Sequence, residues 1–114
     1  MKIITKDDVG IKDTALRVIR EMVTERGLEI DKILFFGSRA RGNYYQDSDW
    51  DFLVISNKDL AFSDKHRLIT QSKRKLAQLR IPNDIIIQSK TKFDSLKNYP
   101  GCISYTTNLE GVPA

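Results

Sequence analysis

Apolar residues recur along this chain with two periods, and each period predicts one kind of element. Near the beginning they repeat every three or four positions, which predicts a helix that begins at residue 5 or 13 and ends at 26, before Gly27. The same spacing predicts a second helix that begins at Ser63-Asp64 and ends near Leu79. The positions of these two helices that should face the core are Val9, Ala15, Leu16, Ile19, Met22, Val23, Leu68, Ile69, Leu76 and Leu79.

Short apolar runs rich in β-branched and aromatic residues predict three strands, over about residues 32–36, 51–55 and 84–88. The middle run is apolar after its first position, which is typical of a central strand buried on both faces. The first strand ends and the second begins at the same turn, so these two should be antiparallel. Two more short helices are predicted over 91–97 and 101–109. The expected fold class is therefore α/β (α+β), with a small mixed sheet of three or slightly more strands flanked by helices.

The turn between the first two strands has the composition of a phosphate-binding corner. Gly37 lets backbone N–H groups approach a ligand without a Cβ in the way. Ser38 stands where a helix N-cap is expected, ahead of the helix formers Arg39, Ala40 and Arg41. The start of a helix offers unpaired N–H donors and the positive end of its dipole, so we expect phosphate here. Arg39 and Arg41 are then either triphosphate contacts or ordinary surface charges.

Two carboxylates open the second strand. Asp49 and Asp51 are two positions apart, so on a strand both project from the same face, about 6.6 Å apart along the chain. Trp50 points the other way, toward packing. Two like charges in this position need a counter-ion, and magnesium takes carboxylate and phosphate oxygens as ligands. A lone Asp-x-Asp pair is commonly a solvated turn, but its combination with the Gly-Ser corner predicts a nucleotide site.

These residues also carry a resemblance to a known family. Gly37-Ser38, ten intervening residues and then Asp49-x-Asp51 resemble the signature of the DNA polymerase β-like nucleotidyltransferase superfamily. The Gly-Ser-Arg-Ala-Arg-Gly segment at residues 37–42 and the shortness of the chain are similar to those of its minimal nucleotidyltransferases. Members of that family are the partners of HEPN-domain proteins in bacterial and archaeal operons. The resemblance implies the polymerase β-like fold over nearly the whole chain. It also implies that Asp84 is the third carboxylate of a triad, whereas from the residues alone Asp84 could be only a turn residue beside Asn83.

The resemblance implies a two-metal transfer of a nucleoside monophosphate, with AMP from ATP as the expected case, to a hydroxyl acceptor. Asp49, Asp51 and Asp84 would hold two magnesium ions, and Asp84 could also accept the hydroxyl proton. Gly37 and Ser38 would hold the β- and γ-phosphates. For the minimal members, the implied acceptor is a tyrosine of a HEPN toxin, which makes this chain an antitoxin.

Two other functions fit the same residues. The chain could neutralise a partner by binding alone, with the carboxylates as a relic, or it could be a metal-dependent phosphohydrolase or nuclease. A Walker-type NTPase is excluded, because residues 37–42 contain no Lys followed by Ser or Thr. Larger relatives use an extra domain to hold the base and the acceptor, so a separate subunit, in a homo- or hetero-oligomer, could complete the site.

Composition says more about domain number and cellular location than about the chemistry of the chain. With 114 residues, 40% hydrophobic and 30% charged, residues 1–114 should form one ordered nucleotidyltransferase-type domain. We expect a cytoplasmic protein outside the membrane, because no run is apolar enough for a bilayer, the N-terminus has no signal-peptide core, and Cys102 is the single cysteine.

The net charge of +4 is unevenly spread. Residues 1–57 hold nine Lys or Arg against ten Asp or Glu, and residues 58–114 hold ten against five. Such asymmetry can mark a surface for an acidic partner. Nucleic-acid binding is not expected, because no aromatic residues interleave with the basic cluster as a base-stacking platform requires.

Overall fold

The structure, a computed structural model, describes residues 6–114, with side chains from residue 8 onward. The helix start expected at residue 5 lies outside this range, and a start at 13 is too late, since the first helix is already formed at Lys6. In chain order the elements are α1 (Lys6–Glu25), β1 (Ile30–Phe36), α2 (Gly37–Arg41), β2 (Trp50–Ser56), α3 (Phe62–Gln78), β3 (Asn83–Ser89), α4 (Lys90–Leu96), α5 (Ile103–Glu110) and β4 (Val112–Pro113).

Within the described residues, four strands form one mixed sheet in the order β3-β2-β1-β4. β1 is antiparallel to β2, and Phe36 stands opposite Asp51. β3 is parallel to β2, and Asp84 stands opposite Asp51 from the other side. The predicted mixed α/β fold and the antiparallel first pair are therefore confirmed. The short β4, which pairs with β1, was not predicted, because two residues carry no readable period.

Helices cover both faces of the sheet, which explains why β2 is apolar and buried from Phe52 to Ile55. On one face Phe35, Trp50 and Phe52 pack with buried residues of α1 and α3. On the other face, Leu53 and Ile55 pack with Phe93 of α4. No helix in the described part of the chain is long and apolar enough to cross a bilayer.

Two helix positions expected in the core are exposed instead. Val9 and Leu79 each keep 48% of their surface accessible. Val9 lies in the first turns of α1, before Ala15, which is the first buried side chain from residue 8 onward in that helix. Leu79 is the C-cap of α3, and the chain turns away at Arg80, whose φ is +60°. Helical spacing therefore predicts burial at these two positions, but the ends of α1 and α3 that carry them are not covered by the core.

Candidate active site

The turn after β1 lies directly against a carboxylate. α2 begins at Gly37 with no loop after β1, and Gly37 has a φ of +79°. A Cβ added to Gly37 would overlap Oδ2 of Asp51 and lie 2.9 Å from its Cγ. Glycine is therefore needed at this position for two reasons, the left-handed backbone and the space that the Asp51 carboxylate occupies.

The helix start differs from the expected one by two residues. Phe36, still in the extended conformation of β1, is the N-cap of α2 and offers no side-chain capping bond. The prediction of Ser38 as N-cap is therefore wrong, because the strand runs directly into the helix and leaves Ser38 in its first turn. The first N–H groups of any helix lack intrahelical acceptors, so Gly37 and Ser38 still present donors at this corner. The helix closes at Gly42, whose N–H donates to the Ser38 carbonyl.

Three carboxylates belong to the edge of the sheet beside this turn. Asp51 is half-buried at the start of β2, Asp84 is opposite it on β3, and the exposed Asp49 lies one residue before β2 begins. Directly paired strand residues are about 4.8 Å apart. Burial, the charge of Asp84 and the charge of Asp49, in that order, raise the pKa of Asp51 to about 6, against a weaker lowering by Arg41. The three acidic groups are thus close enough to influence one another.

Asp84 has a partner that the sequence did not reveal. Its Oδ1 lies 3.2 Å from Nζ of Lys73 on α3, and both side chains are close to half exposed. Among the described residues, no three His, Cys, Asp or Glu side chains are arranged as a ready set of metal ligands. The carboxylate oxygens suit magnesium chemically, and the pKa of Asp51 is raised first by burial and then by the negative charges of Asp84 and Asp49. For Asp84 to join such a set, it must exchange Lys73 for the cation.

The side chain of Arg39 is buried beside the loop that follows α2. Only 5% of its surface is exposed. Its guanidinium donates 2.8 Å hydrogen bonds to the carbonyls of Ser48 and Gln46 and forms a 3.5 Å ion pair with Asp8 of α1. Of the two expected roles, this position rules out an ordinary surface charge, and the guanidinium of Arg39 is engaged by the loop and by α1.

Arg41 keeps a position near the carboxylates. It is exposed and forms a 3.1 Å ion pair with Glu110 at the end of α5. Its charge also lowers the pKa of Asp51 slightly, so its field reaches the site. Glu110 was not singled out from the sequence, because nothing in a distant helix end marks it as the partner of this arginine.

Sequence comparison shows which proteins are similar to this chain over most of its length. Residues 16–100 match the family model described as a nucleotidyltransferase domain. A protein of Methanocaldococcus jannaschii, MJ0141, provisionally assigned as a protein adenylyltransferase, is 31% identical over 75 residues, which are 62% of this chain and 76% of that protein.

Solved structures share the fold. A Sulfolobus solfataricus protein, provisionally assigned as a nucleotidyltransferase, superposes with a TM-score of 0.54 at 22% identity, over 96% of this chain and 86% of that one. A toxin-antitoxin structure with AMP-PNP gives 0.52 at 16% identity, over 89% and 69% of the two chains. A mutant of the toxin-antitoxin pair MntA-HpeT, with two aspartates two positions apart changed to glutamate, gives 0.50 at 14% identity, with the same coverage.

Proposed function

This chain belongs to the nucleotidyltransferase domain family, and on that premise we propose that it transfers AMP from ATP to a hydroxyl group of a partner protein. The observation that carries the proposal is the parallel register of β2 and β3, which pairs Asp84 with Asp51 beside the Gly37 turn. Asp49 lies one residue before the start of β2. A relative assigned as a protein adenylyltransferase supports a protein acceptor.

Asp49, Asp51 and Asp84 are the residues that would hold two magnesium ions. Bound there, the ions would neutralise charge on the triphosphate and lower the pKa of the acceptor hydroxyl. The half-buried Asp51 would be the central ligand, since it stands opposite Asp84 in the sheet and two positions after Asp49. Three carboxylates held close together repel one another, and this repulsion favours a cation between them.

The remaining steps belong to the chain's own groups. The N–H groups of Gly37 and Ser38, with the Ser38 hydroxyl, hold the β- and γ-phosphates at the start of α2. The acceptor oxygen attacks the α-phosphorus, its proton passes to the Asp84 carboxylate, and the bond to pyrophosphate breaks. Arg41 is exposed on the same side, where it can meet the departing phosphates once it leaves Glu110.

The partner that we propose is a toxin of the HEPN type, modified on a tyrosine and silenced by the added AMP. The fold likeness to chains of toxin-antitoxin structures supports a toxin as partner. The HEPN class and the tyrosine come from the resemblance of the Gly-Ser-Arg-Ala-Arg-Gly segment to the minimal nucleotidyltransferases.

One observation favours a second function, neutralisation by binding alone. Asp84 is engaged with Lys73, and the described residues include no assembled metal set. If that ion pair persists when nucleotide is present, the third carboxylate stays out of the chemistry. The chain would then act on its partner through contact without covalent change.

Labelled ATP separates these possibilities. The protein is incubated with magnesium, a candidate HEPN-type toxin, and ATP labelled at either the α- or the γ-phosphate. We expect the α-label alone to appear on the toxin, to disappear in Asp49→Asn, and to persist in the matched control Asp59→Asn, an exposed turn residue. Toxin silencing that survives Asp49→Asn supports binding alone. Free phosphate without labelled toxin indicates a phosphohydrolase.

A further inference from the structure

The loop of residues 43–49 ends at Asp49, and its conformation decides where that carboxylate points. The loop has no helix or strand of its own, and most of its side chains are exposed, including Asp49. Two hydrogen bonds close a turn within it, from the Tyr45 N–H to Oγ of Ser48 at 2.8 Å and from the Ser48 N–H to the Tyr45 carbonyl at 3.1 Å. A loop with so little burial needs another anchor to hold one conformation.

Arg39 is that anchor. Its Nε donates to the Ser48 carbonyl at 2.8 Å, and its Nη2 donates to the Gln46 carbonyl at 2.8 Å and to the Tyr45 carbonyl at 3.4 Å. The Ser48 carbonyl belongs to the same planar peptide unit as the Asp49 N–H. The hydrogen bond to that carbonyl therefore fixes the orientation of the peptide plane that contains the Asp49 Cα.

The anchor is itself rigidly held. The guanidinium lies 4.7 Å from the ring centre of Tyr44 and 4.5 Å from that of Trp50. Both rings are buried, Tyr44 near the start of the loop and Trp50 directly after its end. Asp8 of α1 supplies the opposite charge at 3.5 Å and accepts the Tyr44 hydroxyl at 3.0 Å. A charge with only 5% exposure is costly to bury unless its donors are satisfied, and here they are satisfied by the loop.

We propose that Arg39 is a positioning residue that sets Asp49 for cation binding through the Ser48 carbonyl, without touching the nucleotide. The inference rests on the proposed function in taking Asp49 as a metal ligand. Lysine cannot replace arginine in this role, because a single ammonium group lacks the planar fork that binds the carbonyls of Ser48 and Gln46 together.

The first test is independent of metal. In metal-free protein, we expect backbone amide order parameters near 0.85 for residues 46–49, falling below about 0.6 in Arg39→Lys. Val23→Ala is the control, because it removes part of a fully buried side chain fifteen residues along α1 from Asp8 and should lower stability. An equally rigid loop in Arg39→Lys would overturn the proposal.

The second test uses Mn²⁺ as the probe, with free Mn²⁺ measured by electron paramagnetic resonance. We expect Arg39→Lys to weaken binding about tenfold and Val23→Ala to leave it unchanged. The double variant Arg39→Lys/Asp49→Asn should bind no more weakly than Asp49→Asn alone, because the arginine acts through that aspartate.

Each remaining outcome decides between the two claims. A loosened loop with unchanged Mn²⁺ affinity, or full additivity in the double variant, overturns the positioning role and leaves the proposed function standing. Wild-type protein that binds no Mn²⁺ overturns the proposed metal site, and the role of Arg39 in cation binding with it. The order parameters tell the two failures apart, since they report on the loop alone.

Discussion

Replacing Asp51 by Asn should make the metal-free protein more stable near pH 8, although it removes a proposed metal ligand. Burial first, then Asp84, then Asp49, raise the pKa of Asp51 from 3.8 to about 6. A carboxyl group whose pKa is higher in the folded state than in the unfolded chain holds its proton more tightly when folded. Its contribution to stability is therefore fully present below about pH 4 and is lost as the pH rises through about 6.

The size of this effect follows from the same displacement of the pKa. A change from 3.8 to about 6 corresponds to about 3 kcal/mol of unfolding free energy for a fully buried group. The Asp51 side chain is only half-buried, so solvent reduces both the cost of burial and the repulsion, and we expect about 1 kcal/mol. In a chain of this length, that corresponds to a rise in Tm of about 4 °C for Asp51→Asn.

The assay is thermal and urea unfolding followed by circular dichroism between pH 4 and pH 8, with EDTA present. Asp51→Asn should match the wild-type protein near pH 4 and exceed it near pH 8, while the control Asp59→Asn follows the wild-type curve. Adding magnesium should stabilise the wild-type protein and leave Asp51→Asn unchanged. An Asp51→Asn protein no more stable than wild type at pH 8, or equally displaced at every pH, would refute the electrostatic reasoning.

Two further substitutions test the packing and the pairing around the carboxylates. Gly37→Ala should cost more unfolding free energy in urea than Gly27→Ala, because both have positive φ, near +79° and +77°, but only the first adds a Cβ that meets a carboxylate. Equal costs of about 1–2 kcal/mol, the price of left-handed strain alone, would contradict the close approach. Lys73→Ala should tighten Mn²⁺ binding a few-fold by releasing Asp84, with a stability change below about 1 kcal/mol, and Lys75→Ala should change neither. Weaker Mn²⁺ binding in Lys73→Ala would show instead that the lysine helps to form the site.

The sequence by itself determined the longer helices, the first three strands and the order in which they follow. The runs that end at Phe36 and begin near Asp51 are strands because their β-branched and aromatic residues suit a pleated, buried surface, and this property is local. The Gly-Ser turn and the Asp-x-Asp pair were readable for the same reason, since both lie within fifteen residues. The bond from the Tyr45 N–H to Oγ of Ser48 is likewise local, since the two residues are three positions apart.

Only the tertiary structure decided which charges meet. α3 crosses from β2 to β3 and brings Lys73 to Asp84, and the short turn of α2 directs Arg39 under the loop and toward Asp8. Neither pairing leaves a trace in spacing, because each depends on how a helix lies across the sheet rather than on the residues beside it. The partner of a charged side chain is a property of packing, whereas the strand or helix that carries it is a property of neighbours in sequence.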